Sequence, residues 1–153
     1  MKHSFSIAIS AALTSIGAPA IAQQSAWHSS FGQGNQEYLT GEWDAPRGGA
    51  LLLNCNTLDG TASLSAQIAG QGPPASSGIN LDVSHRGSTR SIRLATNQKG
   101  TVSFGRALSS PVLSNIWSML RAGDTVTIRY ADGRSTIQSL VGAARTLPPK
   151  PCG

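Results

Sequence analysis

Two cysteines, three histidines and 5% aromatic residues are all that this chain of 153 residues offers of the side chains on which most enzymes and metal sites depend. Cys55 and Cys152 have no C-x-x-C spacing and no neighbouring His, which excludes a thioredoxin-like redox motif and leaves any zinc set incomplete. No serine sits in a G-x-S-x-G elbow. Beyond His3, the histidines His28 and His85 stand in no frame that supplies a nucleophile, a base and an orienter together. Gly32-Gln33-Gly34 lacks the strand-to-helix setting of a phosphate-cradling loop, and Asp132-Gly133 lacks the remaining ligands of a calcium loop. No segment approaches the run of about 20 apolar residues that a membrane-spanning helix needs. The expectation is therefore a non-enzymatic chain with no catalytic residues, no cofactor and no metal. An envelope hydrolase stays only as a remote alternative.

What the chain does have begins at its start. Lys2 is followed by an apolar run from Phe5 to Ile16, then Pro19 and the A-x-A sequence Ala20-Ile21-Ala22. This is the pattern of a secretory signal peptide cut after Ala22. Residues 1–22 are expected to be removed, leaving one β-rich domain over 23–153, irregular between 23 and 49, in the periplasm or the medium. Export makes a Cys55–Cys152 disulfide the expected state of the two cysteines. Closing a loop of about 100 residues stabilises by up to about 4.7 kcal/mol in the chain-entropy account.

Turn chemistry and period-2 alternation give the layout. Leu51-Leu52-Leu53 reads as a strand buried on both faces. Ala62, Leu64, Ala66 and Ile68 alternate after Asp59-Gly60, and Ile79, Leu81 and Val83 alternate after a Pro-rich loop. Ile92 and Leu94, Val102 and Phe104, and Val126, Ile128 and Tyr130 continue the pattern. Ser110-Pro111 opens a helix over about 111–122, and Gly123 stops it. A short C-terminal helix capped by Ser139, with Leu140, Val141 and Ala144 buried, precedes Pro148-Pro149. The predicted fold is mainly β: one antiparallel β-sandwich or flattened barrel with these two helices.

Three groups of residues are candidates for binding. Removal of the leader leaves 11 basic against 7 acidic residues, a net of +4. His85, Arg86, Arg90, Arg93, Lys99 and Arg106 fall within 22 residues that contain no acid. Arg86, Arg90 and Arg93 would form an anion-binding face if adjacent strands turned them the same way. Trp27, Phe31 and Trp43 would form an aromatic contact patch. Glu42 and Asp44 flank Trp43, which allows a sugar-binding cleft, although solvated acids with Trp43 in the core is the simpler expectation. The partner implied is an envelope protein or an anionic glycan or lipid, with no specific nucleic acid.

The buried strand ending in Cys55, the segment RAGDTVTIRY (121–130) and the closing SLVGAARTL (139–147) running on to Cys152 resemble small exported proteobacterial proteins of the invasion-associated locus B type. That resemblance implies a β-sandwich, an envelope or secreted location and a non-enzymatic role at the cell surface. The function expected is an exported, non-catalytic binding or interaction module. A periplasmic inhibitor or accessory factor of a secreted enzyme or secretion system is the alternative.

Overall fold

The structure is a computed structural model that describes residues 27–153. The leader predicted at 1–22 lies outside the described residues. Among the described residues, nine strands form two antiparallel sheets. The five-stranded sheet has the order β1 (Trp27–Gly32), β2 (Asn35–Gly41), β3 (Gly49–Asn56), β4 (Thr61–Ile68), β7 (Val102–Arg106). The four-stranded sheet has the order β6 (Ser88–Ala95), β5 (Gly78–His85), β8 (Thr125–Tyr130), β9 (Ser135–Ser139). They do not close into a barrel, so the sandwich is the correct half of the predicted pair.

Alternation decides which side of each strand faces in. Ala62, Leu64, Ala66 and Ile68 are buried while the residues between them are half-exposed, and β3 shows Leu51, Leu53 and Cys55 to the same side. Ile79, Leu81 and Val83 on β5 and Val126, Ile128 and Tyr130 on β8 face them from the other sheet. Such period-2 burial with a polar outer side is what a two-layer antiparallel fold requires.

Helix α1 (Pro111–Ala122) starts as expected: the Ser110 hydroxyl accepts from the Leu113 N–H at 3.2 Å, and Pro111 occupies the first turn. Its buried stripe is Leu113, Ile116, Trp117, Met119 and Leu120, while Val112 stays exposed. The last helix, α2 (Ala143–Thr146), begins later than predicted. Gly142 in the left-handed region stands before it, and Ala143 and Leu147 are buried where Val141 and Ala144 were expected. Beyond α2 the tail returns across α1, and the Cys55–Cys152 disulfide forms as predicted, with Cα atoms 5.5 Å apart.

The region expected to be irregular contains a hairpin. Ser29 to Gly32 belong to β1, and the chain reverses at Gln33 and Gly34, both with positive φ (49° and 78°), before β2. Two successive positive φ angles are the mirror-image turn whose twist suits a two-residue hairpin. Gln in its first position hid it from a reading based on Asn-Gly or Asp-Gly.

Candidate functional site

The strand register settles the three predicted groups. In the basic segment, Arg90 pairs with Val83 and Arg93 with Asn80. Val83 faces the core and Asn80 does not, so Arg90 and Arg93 lie on opposite faces of the sheet. Arg86 sits in the β5–β6 turn, its backbone N–H donating to Asp124 Oδ2 at 2.9 Å. The common anion-binding face of Arg86, Arg90 and Arg93 is therefore not formed. A spacing of three residues on a strand reverses side-chain direction. Arg86 and Arg90 instead share a small depression of about 270 Å³ with His85 and Ser88, floored by Val83 and Met119, where the Arg90 guanidinium donates to Asn115 Oδ1 at 3.0 Å. His85 Nδ1 lies 3.6 Å from Asp124 Oδ2, with both side chains substantially in solvent (45% and 64% exposed). That differs from a catalytic triad, whose carboxylate is buried against the imidazole it orients.

The aromatic patch also separates. Trp27 points inward and is 4% exposed, Phe31 is exposed at the far end of β1, and Trp43 lies half-buried beyond the end of β2. Its expected neighbours do not form a cleft with it. Asp44 instead exchanges two hydrogen bonds with Gln67: its N–H donates to Oε1 at 2.7 Å and its Oδ1 accepts from Nε2 at 2.9 Å.

A different set of residues surrounds Trp43. On the outer face of the five-stranded sheet, Trp43, Leu39 and Leu52 line a depression of about 360 Å³ together with His28, Ser30 and Glu37. Register explains the gathering. Leu39 and Leu52 are directly paired across β2 and β3, and His28 is the partner of Leu39 on β1. The loop between β2 and β3 is drawn over one end of this face by the Asp44–Gln67 exchange. Ala50, the cross-strand partner of Gln67, is fully buried although it points outward.

The polar side of the depression is fixed by Glu37. Its Oε2 accepts from the Ser30 hydroxyl and its Oε1 from Asn54 Nδ2, both at 3.2 Å. A carboxylate held from two neighbouring strands keeps one orientation while leaving lone pairs for a ligand. Indole, two leucines and one oriented acid form an amphipathic recognition surface. The signal for it was present in Leu51-Leu52-Leu53: with Leu51 and Leu53 inward, Leu52 had to face out.

Among the described residues, no three His, Cys, Asp or Glu side chains gather to hold a metal ion, and no helix is long and apolar enough to cross a membrane. The YfjT family model matches residues 25–147, and the chain belongs to that family. No curated protein and no solved structure matches it. The resemblance to proteins of the invasion-associated locus B type gains no support from these comparisons.

Proposed function

We propose that the chain is an exported, non-catalytic binding module of the envelope, and that it binds through the depression around Trp43 on the outer face of the five-stranded sheet. One observation carries the reading: Leu39, Leu52 and Trp43 meet on a strand face that otherwise carries the polar residues of a solvated surface. Apolar groups concentrated on an outer face, with oriented polar groups beside them, mark a contact surface. The disulfide supports an oxidising compartment, as the leader pattern does.

The test uses 5-fluorotryptophan. The chain has three tryptophans, and Trp27 and Trp117 are buried, so the Trp43 fluorine signal reports selectively on the depression. Addition of the protein, lipid or glycan fraction of the cell envelope is expected to shift that signal in the wild type and not in Leu52→Glu. Failure of every fraction to move it overturns the proposal.

A second reading has its own observation. Leu58, at the tip of the turn between β3 and β4, is 82% exposed. An apolar residue presented on a short turn suits an inhibitor or accessory factor that inserts a loop into a partner's site. Interaction with that partner would then depend on Leu58 and be indifferent to Leu52→Glu.

A further inference from the structure

Building on the binding role proposed for the Trp43 depression, we infer that the ligand is an extended, uncharged oligosaccharide lying across the strands from Trp43 on one side to Ser103 on the other. A second depression, of about 260 Å³, lies on the same face and is lined by Asn54, Ser63, Ser103 and Gly105. Asn54 joins the two, since its Nδ2 donates to Glu37 Oε1 in the first. From β2 to β7 the track crosses three inter-strand intervals, about 14 Å at ordinary strand spacing.

The chemistry of this face selects the ligand class. The outward positions of β1 to β4 carry two ionisable side chains, His28 and Glu37, among Ser, Thr, Asn, Gln, Leu and Ala. The other sheet is different: its outward positions include Arg93, Asp82 and Arg129, the last two ion-paired. A lipid phosphate or an anionic glycan would require cations along the track; Arg106, at the end of β7, instead lines a neighbouring depression with Asp59 and Leu108, and a carboxylate stands on the track itself. A protein partner would call for a wider apolar core than one indole and two leucines. A sugar matches both halves of what is present. Its C–H face packs on an indole, and its hydroxyls exchange hydrogen bonds with Ser63, Ser103, Asn54 and the free lone pairs of Glu37.

The experiment follows the Trp43 fluorine signal during titration with two neutral β-1,4-linked hexasaccharides, one of glucose and one of N-acetylglucosamine, and with the matching disaccharides. Anionic phospholipid vesicles and the envelope protein fraction form parallel arms. At least one hexasaccharide is expected to shift the signal and to bind about tenfold more tightly than its disaccharide. The double variant Ser63→Val/Ser103→Val should remove that advantage while leaving disaccharide affinity and the Trp27 and Trp117 signals unchanged. A response to vesicles or protein with none to either hexasaccharide overturns the oligosaccharide assignment and leaves the binding role standing. A response to nothing overturns both. Equal affinity for hexasaccharide and disaccharide overturns the extended track.

Discussion

The indole N–H of Trp117 donates to the carbonyl of Pro148 at 2.7 Å, tying the middle of α1 to the tail that Cys152 anchors. Arg121 repeats the link one turn later, donating from Nη1 to Leu147 O at 2.8 Å. The Trp117 ring in turn meets Tyr38 of β2 edge-on, with centroids 5.3 Å apart. The disulfide therefore holds a strap across the helix that covers the core. Cys152→Ser should lower unfolding stability by about 2–4 kcal/mol. It should also shift Trp117 emission to the red in the folded baseline, as the indole loses its partner. Urea unfolding followed by fluorescence reads both effects. An unchanged baseline with reduced stability would mean that the strap stays down without its bond.

Two hydroxyls also join the sheets among the described residues: Thr40 on β2 donates to the Ser139 carbonyl on β9 at 3.2 Å, and the second is more deeply buried. Tyr130 on β8 donates to the Ala66 carbonyl on β4 at 2.7 Å, in a buried position. Tyr130→Phe strands that acceptor away from water and should cost about 1–3 kcal/mol. Burial also pushes the Tyr130 hydroxyl pKa far above the ordinary phenol value, and that of Tyr38 upward in the same sense. A folded-state pKa raised above the unfolded value gives stability that is complete below about pH 10 and lost as pH rises beyond it. Wild-type stability should accordingly fall above that pH. The fall should be shallower in Tyr130→Phe, where only Tyr38 remains to contribute. An identical alkaline slope in the two proteins would sink this account.

The pattern of local alternation made much of this fold legible. β4, β5, β8 and α1 could be read because each has one apolar side whose period matches its element. β1 could not: one of its six residues, Trp27, is buried, and it is a strand because β2 pairs with it. Nor could the partition between sheets be read locally. Lys99-Gly100 marks a turn before Val102 and Phe104 without saying which sheet the next strand joins: β6 pairs with β5, while β7 crosses to β4. The binding face depended on that partition. Trp43 was visible as a candidate, but Glu37, Leu39, Leu52 and Asn54 become its neighbours only through the β1–β2–β3 register.

Gly123 stops α1 as its sequence position predicts, but left-handed backbone is not the reason for glycine there. Its φ is −78°, open to any residue. A Cβ at this position would instead run into Val83 Cγ1 and come within 2.6 Å of Leu140 Cδ1, both in the core. Gly123→Ala should therefore destabilise by about 1–3 kcal/mol as an overpacking change. At a free helix end the same substitution is nearly neutral or favourable. Gly133→Ala makes a useful comparison. Nothing lies within 4 Å of its Cβ, but φ is +90°, so its cost arises from backbone strain. Val83→Ala should rescue Gly123→Ala in part and leave Gly133→Ala unrescued. Thermal unfolding of the four variants separates the two mechanisms.

The β8–β9 turn carries a charge pair whose contribution depends on pH. Arg134 donates from Nε and Nη2 to Asp132 Oδ2 at 2.8 and 2.6 Å, and these bonds hold the Asp132 carboxyl below its ordinary pKa. Arg134 also lies over the Tyr130 ring at 5.1 Å and reaches Gln71 Oε1 and the Gly72 carbonyl, so the pair orients the side chain that pins the 71–72 segment to this hairpin. A folded-state pKa depressed below the unfolded value gives stability that is present above about pH 4 and lost as pH falls through the folded value. Asp132→Asn should thus lower the melting temperature at neutral pH. The gap between the two proteins should close as the wild-type carboxyl is protonated. Because the pair is exposed, added salt should narrow the gap at pH 7 as well. Hydrogen exchange at Gln71 and Gly72 should rise in the variant at neutral pH and match the wild type in acid. A gap that persisted unchanged to the lowest pH would show that the geometry of the Asp132 side chain, and not its charge, holds Arg134 in place.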